Sequence, residues 1–434
     1  MRVVFTDWRK SGRLDLEAVE TATRTAMHRA GAAALQQWLA APEPCEREIP
    51  CDCGQRARYH ETRPKQLLTA LGPIEMERAY YVCPHCGRGQ VPRDRELNVE
   101  GTECSPGVRR MMAVVGSEMS FEQGRELLEV LAGLAVTAQA VERHAEAIGA
   151  DIAAQEQAER QEAVREQRPA AEGPEIPVLY IEMDGTGVPV VAAETRDRPG
   201  KMEGQPARTR EAKLGCVFTQ SGVDAEGRPV RDEDSTTYTG AMETAEEFGR
   251  RLYAEAWNRG GDRAKKKVVI GDGAVWIWNL AEEHFPGAIP IVDLYHARQH
   301  LWDLSAKLFA TQERARKRWT AKLQQKLDQG KVEAVVQALR QFPPPSPELH
   351  RVLTNEADYF QRNAYRMRYP KFRAQGLFVG SGVVEAGCKT VIGSRLKRSG
   401  MFWTVRGANA ILALRCCRLS KRFENYWESR PRAA

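Results

Sequence analysis

The sequence lacks the features of a membrane or secreted protein. No apolar run reaches the roughly 18 residues needed to span a bilayer, and Met1–Lys10 has no apolar core of signal-peptide length. Ten cysteines in 434 residues are too few for a disulfide scaffold. These absences predict a soluble, intracellular protein with reduced thiols and no membrane partner. At roughly 150 residues per domain, the length predicts two to four domains.

The chain also lacks a strong excess of one charge. Lys and Arg number 64 and Asp and Glu 58, so the net charge is only +6, which by itself does not indicate a nucleic-acid partner. The distribution is more informative, because residues 389–422 carry nine basic residues and no acidic one. Such asymmetry is typical of a surface that faces a polyanion.

Four cysteines form one C-x-C pair and one C-x-x-C pair: Cys51, Cys53, Cys83 and Cys86. In a reducing compartment such pairs predict metal ligands rather than disulfides, here a structural zinc in a ribbon-like domain. The first pair is one residue tighter than the usual spacing, so Cys45, His60 or His85 could replace one ligand. The alternative is that the thiols are simply buried.

Composition and hydrophobic periodicity divide the chain into six stretches. We predict an N-terminal helical segment, a zinc-ribbon-like domain, a helix-turn-helix-like DNA-binding region, a helical linker, a catalytic domain in two parts and a helical insertion between those parts. In that order they span residues 1–44, 45–95, 96–150, 151–176, 177–302 with 376–425, and 303–375.

Residues 119–149 fit a helix-turn-helix. Ser120 is placed to cap a first helix, Gly133 allows the turn, and Thr137 is placed to cap a second helix that ends at Ile148. Such a motif places its second helix in the DNA major groove. Helical hairpins that only pack are more common, however, and this second helix has a single basic residue, so both interpretations stay open.

From Pro177 onwards the pattern changes to strands, with a three-strand start followed by alternating helix and strand. This order predicts a mixed α/β sheet. The predicted strands are Val178–Met183, Val188–Val191, Leu214–Thr219, Lys267–Ile270 and Ile289–Val292.

Two aspartates, Asp184 and Asp272, each follow an apolar strand-like run and each precede a glycine. Ligands bind at strand ends in open α/β sheets, and Mg²⁺ prefers oxygen ligands. A two-metal site for phosphoryl transfer needs a third acid, and we predict Glu385, in the first turn of a helix that Ser381 could cap. Glu182 is the rival ligand, because it lies two residues before Asp184 and therefore on the same strand face.

Four motifs, in order, resemble those of bacterial insertion-sequence DDE transposases of the ISKra type. They are Tyr180–Pro189, Val269–Trp278, Ile291–Arg298, and Ser381–Glu385 with Arg398–Trp403. The resemblance implies a ribonuclease-H-like catalytic fold with two Mg²⁺ ions, and cleavage and strand transfer of DNA at element ends. It also implies that Asp184, Asp272 and Glu385 form the catalytic triad.

The third motif places Asp293 and His296 three residues apart after a strand, hence on one helical face. For such a pair alone, a helix cap and a structural histidine would be the ordinary interpretation. The resemblance favours a supporting role at the active site, in which His296 contacts the scissile phosphate or orients a carboxylate. Neither is expected to be a principal Mg²⁺ ligand, since a neutral imidazole is a softer donor than oxygen.

The basic stretch after Glu385 is predicted to bind DNA through Lys389, Arg395, Lys397, Arg398 and Trp403. Trp403 could stack on an unpaired base or belong to the core. The expected partners are DNA, both element ends and target, and further copies of the chain in a homo-oligomer. The expected location is the bacterial cytoplasm, at the nucleoid.

The sequence therefore predicts a DNA transposase. One alternative is a non-catalytic DNA-binding descendant that keeps the zinc and helical modules, and another is a structure-selective nuclease on the same fold. The presence of all three acids argues against the first alternative without proving activity.

Overall fold

The computed structural model describes residues 9–10, 13–40, 46–164, 173–196, 198–200, 207–343 and 346–429. The chain divides into two compact units, Met1–Ile148 with Glu424–Ala434, and Gly149–Phe423. Both helices and strands are present, in a mixed α/β architecture. None of the helices in the described ranges combines the length and the apolar character needed to cross a membrane.

The first unit contains a small antiparallel sheet and a group of helices. Its strands are β1 (Arg9–Lys10), β2 (Arg13–Leu14), β3 (Glu48–Pro50), β4 (Arg56–Thr69), β5 (Gly72–Val82) and β6 (Gly89–Gln90). Its helices are α1 (Leu16–Leu39), α2 (Pro92–Glu96), α3 (Pro106–Glu118), α4 (Phe121–Leu127), a π-helical stretch (Leu128–Ala132) and α5 (Ala138–Val164), which continues into the second unit.

A long hairpin of β4 and β5 forms the centre of a sheet with the order β3-β4-β5-β6. At its turn Thr69 pairs with Gly72, whose φ of +120° lies in the region that favours glycine. Ile74 and Met76 alternate with exposed residues and bury their side chains on one face. The exposed faces of β4 and β5 are rich in polar and charged residues, which mask the alternating pattern in the sequence.

The residues predicted to delimit a helix-turn-helix lie at the helix ends. Ser120 accepts a backbone N–H bond at the start of α4, Gly133 has a φ of +67°, and Thr137 accepts a backbone N–H bond at the start of α5. The second helix continues through Ile148 to Val164, because the Ala, Glu and Gln residues there are strong helix formers. The core in this part of the unit includes Val108, Met112, Leu128, Leu134 and Val141.

The second unit contains a larger sheet flanked by helices. Its strands are β7 (Ile176–Pro189), β8 (Thr209–Gln220), β9 (Gly222–Val223), β10 (Pro229–Val230), β11 (Thr237–Ala241), β12 (Ala264–Gly271) and β13 (Ile289–Val292). Its helices up to the end of the predicted insertion are 3₁₀ Ala192–Thr195, α6 (Ala245–Asn258), α7 (Val275–His284), α8 (Leu294–Leu308), α9 (Glu313–Asp328), α10 (Val332–Arg340), α11 (Pro347–Arg362), 3₁₀ Ala364–Met367 and α12 (Tyr369–Arg373). The later helices are α13 (Gly382–Gly387), a π-helical stretch (Cys388–Gly393), α14 (Ser394–Leu396) and α15 (Val405–Leu419). The last helix, α16 (Phe423–Ser429), begins at the end of this unit and otherwise belongs to the first unit.

The larger sheet is mixed and has the strand order β11-β8-β7-β12-β13. β8 lies antiparallel to both β11 and β7, and β12 lies parallel to both β7 and β13. Side chains of the central strands are fully buried, among them Leu179, Tyr180, Ile181, Val268, Val269 and Ile270. Burial on both faces explains the nearly continuous apolar runs in β7 and β12.

Two strand predictions in this sheet were wrong. The strand that begins near Val178 does not end at Asp184, and the strand predicted at Val188–Val191 is its continuation, because β7 pairs with β8 without interruption from Val178 to Pro189. The glycines beside Asp184 suggested a turn, but the long neighbouring strand supplies the hydrogen bonds that keep the chain extended. The short strand β11 was not predicted.

The described parts of residues 303–375, that is 303–343 and 346–375, consist of helices joined by short turns. They comprise the last part of α8, all of α9 to α11, the second 3₁₀ turn and α12. Their buried side chains include Leu323, Leu327, Val335, Leu339, Phe360 and Tyr369. This helical segment separates β13 from the helix that carries Glu385.

Candidate active site

Asp184 and Asp272 lie on neighbouring parallel strands at the same height. Glu182 of β7 pairs with Ile270 of β12, so the two aspartates each lie two residues beyond a paired position. Residues two apart in a strand share a face, and adjacent strands are about 4.8 Å apart. Their carboxylates are therefore neighbours, although only Asp272 is at a strand end.

The electrostatics of Asp184 agree with this placement. Burial raises the pKa of the Asp184 carboxyl above its usual value, and the nearby Asp272 charge adds to that rise. The Gly185 N–H, which donates to Asp184 Oδ1 at 2.7 Å, the Cys388 thiol and His296 all act in the opposite direction. Ionisation of Asp184 is therefore energetically unfavourable in this environment, and a nearby cation would stabilise the carboxylate.

Asp293 caps α8 and also supports a second element. Its Oδ1 accepts the His296 backbone N–H at 2.7 Å, and its Oδ2 accepts both the backbone N–H and the hydroxyl of Ser381. The side chain is fully buried, and these hydrogen bonds help to hold the pKa of Asp293 below its usual value despite burial. Both carboxylate oxygens of Asp293 accept hydrogen bonds within the protein, so Asp293 stabilises the backbone at His296 and at Ser381.

The helix that carries Glu385 is held at its first turn by two buried carboxylates. Ser381 N–H donates to Asp293, and Val384 N–H donates to Glu182 Oε2 at 2.9 Å. The Ser381 hydroxyl was predicted to cap this helix. It instead donates to Asp293 at 2.7 Å and makes no capping bond. Unpaired backbone N–H groups in the first turn of a helix interact favourably with negative charge. The carboxylates of Asp293 and Glu182 therefore fix the position of the helix that carries Glu385.

Glu182, the rival ligand, points into the interior. It has no exposed surface, its Oε2 is used by Val384, and burial raises its pKa to about 8. Glu385 is half-buried with about a third of its side chain exposed. The arrangement favours Glu385 over Glu182 as the acid that reaches a substrate.

His296 is the common electrostatic neighbour of the acids. Its Nδ1 lies 3.7 Å from Asp293 Oδ1 and 3.5 Å from Glu385 Oε1. Asp293, with smaller contributions from Glu385 and Asp272, raises the pKa of His296 to about 9. These acids therefore favour the protonated form of the ring. One atom from each of Asp293, His296 and Glu385 lies within 4.8 Å of the others, a spacing that could hold a metal ion.

Tyr359, from the helical segment, supports the loop of Asp272 and was not predicted. Its hydroxyl donates to the backbone carbonyl of Asp272 at 2.9 Å. Gly273 has a φ of +99°, and a Cβ there would lie 2.7 Å from the Tyr359 ring, so only glycine allows this approach. The ring stacks on His300 at 4.0 Å, and His300 Nδ1 lies 2.9 Å from Glu356 Oε2.

The predicted DNA-binding residues separate into an exposed group and a buried group. Lys389 and Lys397 are exposed, Arg398 is partly exposed, and Lys397 Nζ donates to Thr186 Oγ1, two residues from Asp184. The buried group consists of Arg395 and Trp403, and neither side chain is available to DNA in this structure.

Arg395 has no exposed surface, and its guanidinium lies 4.8 Å from the centre of the Trp403 ring. Trp403 is 6% exposed and donates from Nε1 to the carbonyl of Leu396 at 3.1 Å. These contacts favour the core role for Trp403. Arg395 lies two positions from the exposed Lys397, and residues two apart in a helix face different directions. The number of basic residues in the stretch does not reveal this difference in exposure.

The four paired cysteines form a compact cluster in the first unit. Cys51 Sγ lies 3.7 Å from Cys86 Sγ, and Cys53 Sγ lies 3.7 Å from Cys83 Sγ. All four sulfur atoms lie within 4.8 Å of one another. A tetrahedral Zn²⁺ with Zn–S bonds of about 2.3 Å requires sulfur atoms about 3.8 Å apart, so the cluster could bind zinc.

Each cysteine pair occupies a tight turn. Gly54 and Gly87 have φ values of +80° and +72°, and their N–H groups donate to the carbonyls of Cys51 and Cys83 at 2.9 Å. Backbone N–H groups of Cys86 and His85 lower the pKa of Cys83 to about 6, which favours the thiolate that a metal needs.

Among the described residues, the metal-sized group around these turns contains the four cysteines and neither His60 nor His85. His60 makes an edge-to-face contact with Tyr80, with ring centres 6.1 Å apart. Cys45, the other candidate substitute, lies outside the described residues.

A family model described as an uncharacterised protein family, UPF0236, matches residues 14–422. The chain belongs to this family. No curated protein matches the chain.

The part of the chain that matches UPF0236 includes both candidate sites. It covers the cysteine cluster from Cys51 to Cys86 and the carboxylates from Asp184 to Glu385. The family description names no activity, and the chemistry of these two sites is the basis for a functional proposal.

Proposed function

We propose that the protein is a DNA transposase that cleaves and joins DNA at the ends of an insertion sequence, with Asp184, Asp272 and Glu385 as its catalytic residues. The observation that carries this proposal is the convergence of the acids: Asp184 and Asp272 follow paired positions of adjacent parallel strands, and Glu385 Oε1 lies 3.5 Å from His296 Nδ1. The charge of His296 is coupled to the same acids, since Asp293, Glu385 and Asp272 raise its pKa and it lowers that of Asp184. Carboxylates brought together in this way suit a cation-dependent reaction on a phosphodiester.

The fold supports the proposal in its coarse features. Three antiparallel strands are followed by two helix-connected parallel strands, as expected for a ribonuclease-H-like domain that carries acids on its central strands. We therefore propose that fold for the second unit, with the helical segment as an insertion that carries Tyr359 to the Asp272 loop.

The donors at the site fit Mg²⁺, because carboxylate oxygens are its preferred ligands. Asp184, Asp272 and Glu385 would hold the ions, which would supply activation of the attacking water or 3′-hydroxyl and charge stabilisation of the leaving oxygen. The chain itself fixes the three acids. Asp293 and Glu182 hold the first turn of α13, and the exposed Lys397 is placed to attract a phosphate.

We further propose that Cys51, Cys53, Cys83 and Cys86 hold one structural zinc in a ribbon-like domain. The site has four sulfur donors and no fifth ligand among the described residues, which is typical of a structural rather than a catalytic zinc.

The function can be tested by incubating the protein with Mg²⁺ and DNA that carries the ends flanking its own gene, and then mapping the products. A transposase should cut at the ends and join the resulting 3′-hydroxyls to target DNA. Cleavage without end specificity or joining would favour the nuclease alternative. Binding without cleavage would favour the non-catalytic alternative.

His296→Ala should lower the single-turnover cleavage rate by roughly 10–100-fold at saturating Mg²⁺, as expected when support around a metal site is lost. The variant removes the cation that lies 3.5 Å from Glu385 without removing a proposed metal ligand. The matched control is His350→Ala, at an exposed position on α11. An unchanged rate would return His296 to a purely structural role, and complete loss in a folded variant would make it essential.

Tyr359→Phe should raise the Mg²⁺ concentration for half-maximal cleavage by roughly 10-fold, with little change at saturating Mg²⁺. It removes the 2.9 Å bond to the Asp272 carbonyl and keeps the ring over Gly273. Tyr369→Phe is a matched control in α12, because the buried Tyr369 hydroxyl has no hydrogen-bond partner among the described residues. Equal Mg²⁺ requirements in both variants would exclude a positioning role for Tyr359.

A further inference from the structure

Helix α9 lies antiparallel to α8, which begins directly after Asp293. Arg298 Nη2 lies 2.8 Å from Asp328 Oδ2 near one end of the pair, and the rings of Phe309 and Trp319 are 5.7 Å apart near the other. In the direction in which residue numbers increase along α8, they decrease along α9. The C-terminal end of α9 is therefore close to the active-site end of α8.

Three basic residues form a row along α9. Arg314, Arg318 and Lys322 are four positions apart, so they lie on one helical face, and all three are exposed. The opposite side of the helix packs into the insertion through Thr320, Leu323 and Leu327, which are buried.

The row is not neutralised by the protein. Within the described ranges, none of Arg314, Arg318 and Lys322 makes an ion pair or a side-chain hydrogen bond. Lys317 of the same helix differs, because its Nζ lies 2.7 Å from Glu313 Oε1. Three uncompensated positive charges at helical spacing suit a regular polyanion.

The row lies at a defined distance from the acids. By the pairing with α8, Lys322 is level with about residue 304, Arg318 is level with the end of α8, and Arg314 lies one further turn along α9. At a rise of 1.5 Å per residue, Lys322 and Arg314 are roughly 16 and 28 Å from Asp293 along the axis of the helix pair. That interval corresponds to roughly five to eight base pairs of duplex at about 3.4 Å each.

We propose that Arg314, Arg318 and Lys322 bind the phosphate backbone of duplex DNA roughly five to eight base pairs from the cleavage point. The proposal rests on the proposed transposase function, since it takes that function's DNA as the ligand. The contacts would be independent of base sequence, because they reach phosphates and not base edges.

The test compares two charge-matched variants in a Glu385→Gln background, in which DNA is not cut. Arg318→Gln/Lys322→Gln removes two charges from the row. Lys265→Gln/Lys266→Gln removes two exposed charges from the start of β12, at the end of the strand away from Asp272, where Lys265 pairs with Glu175. Anisotropy of a labelled random duplex of about 30 base pairs is measured over a range of salt. The slope of log affinity against log salt should flatten by up to about 1.8 in the row variant and stay unchanged in the control.

A slope that is unchanged in the row variant, or equally flattened in both variants, overturns the inference. If the parent protein binds no duplex even at low salt, the proposed function itself fails, which is a distinguishable result. A second measurement tests the position. Trimming the flank of an element-end duplex from about ten to about three base pairs should weaken binding by the parent protein more than binding by the row variant, which keeps only Arg314, and equal weakening of both would contradict the assigned distance.

Discussion

Asp184→Asn, Asp272→Asn and Glu385→Gln should each reduce Mg²⁺-dependent DNA cleavage by about 10³-fold or more, since the loss of even one preorganised electrostatic partner costs about 10²–10³ in rate. Each substitution removes a charge that would face a metal ion and changes the side-chain volume little. Single-turnover cleavage of element-end DNA is the measurement. Duplex binding by the same variants should remain close to that of the parent protein.

The same substitutions should leave the fold intact, and thermal unfolding can show this without any activity. Because burial and the Asp272 charge raise the pKa of Asp184, its ionised form destabilises the metal-free fold at neutral pH. Asp184→Asn should therefore melt at the same temperature as the parent protein or higher. A ligand that binds only the folded state raises its stability, so the parent protein should gain stability with Mg²⁺ and each triad variant should gain much less.

Asp262→Asn is a suitable control, because Asp262 is an exposed acid before the start of β12, at the end of the strand away from Asp272. It should change neither the cleavage rate nor the response to Mg²⁺. A near-parental rate in Glu385→Gln would remove Glu385 from the triad and promote Glu182. That outcome would require Glu182 to leave its interior bond to the Val384 N–H.

The residues of this site that could be predicted from the sequence are those whose placement depends on the local sequence pattern. Asp184 and Asp272 each follow a buried apolar run, and parallel pairing of two such runs brings equivalent positions together. The placement of Asp293 and His296 could likewise be predicted, because a strand ends just before Asp293 and a helix capped by Asp293 begins just after it. In each case the signal lies within a few residues of the side chain.

The parts that sequence reasoning missed depend on contacts between distant segments. Tyr359 bonds to Asp272 across 87 positions, and nothing local distinguishes it from any other aromatic residue in a helix. Arg395 looked like a surface charge in a basic stretch, but its place against Trp403 depends on how α14 and the following loop fold back. Burial of a charged side chain is a tertiary property, and a charge count cannot supply it.

Protein purified without chelator should contain about one zinc per chain, and Cys83→Ser/Cys86→Ser should contain almost none. The small core at this end of the sheet consists of Cys51, Cys83, Ala57 and Tyr81 with few apolar neighbours. Apparent zinc-binding free energies of about 10–16 kcal/mol are coupled to folding in such small domains. Loss of the metal should therefore open this end of the first unit, which can be measured as faster trypsin cleavage at the exposed Arg56 and Arg88.

His60→Ala and His85→Ala test the ligand set directly, because both histidines were candidate substitutes and both lie outside the sulfur cluster. Each should keep a full zinc complement. Stoichiometric zinc in the double serine variant would exclude Cys83 and Cys86 as ligands. The cysteines belong to the first unit and the acids to the second, so the zinc-free variant should still be stabilised by Mg²⁺. If that stabilisation disappears together with the zinc, the two sites are coupled and the cluster does more than hold its own domain together.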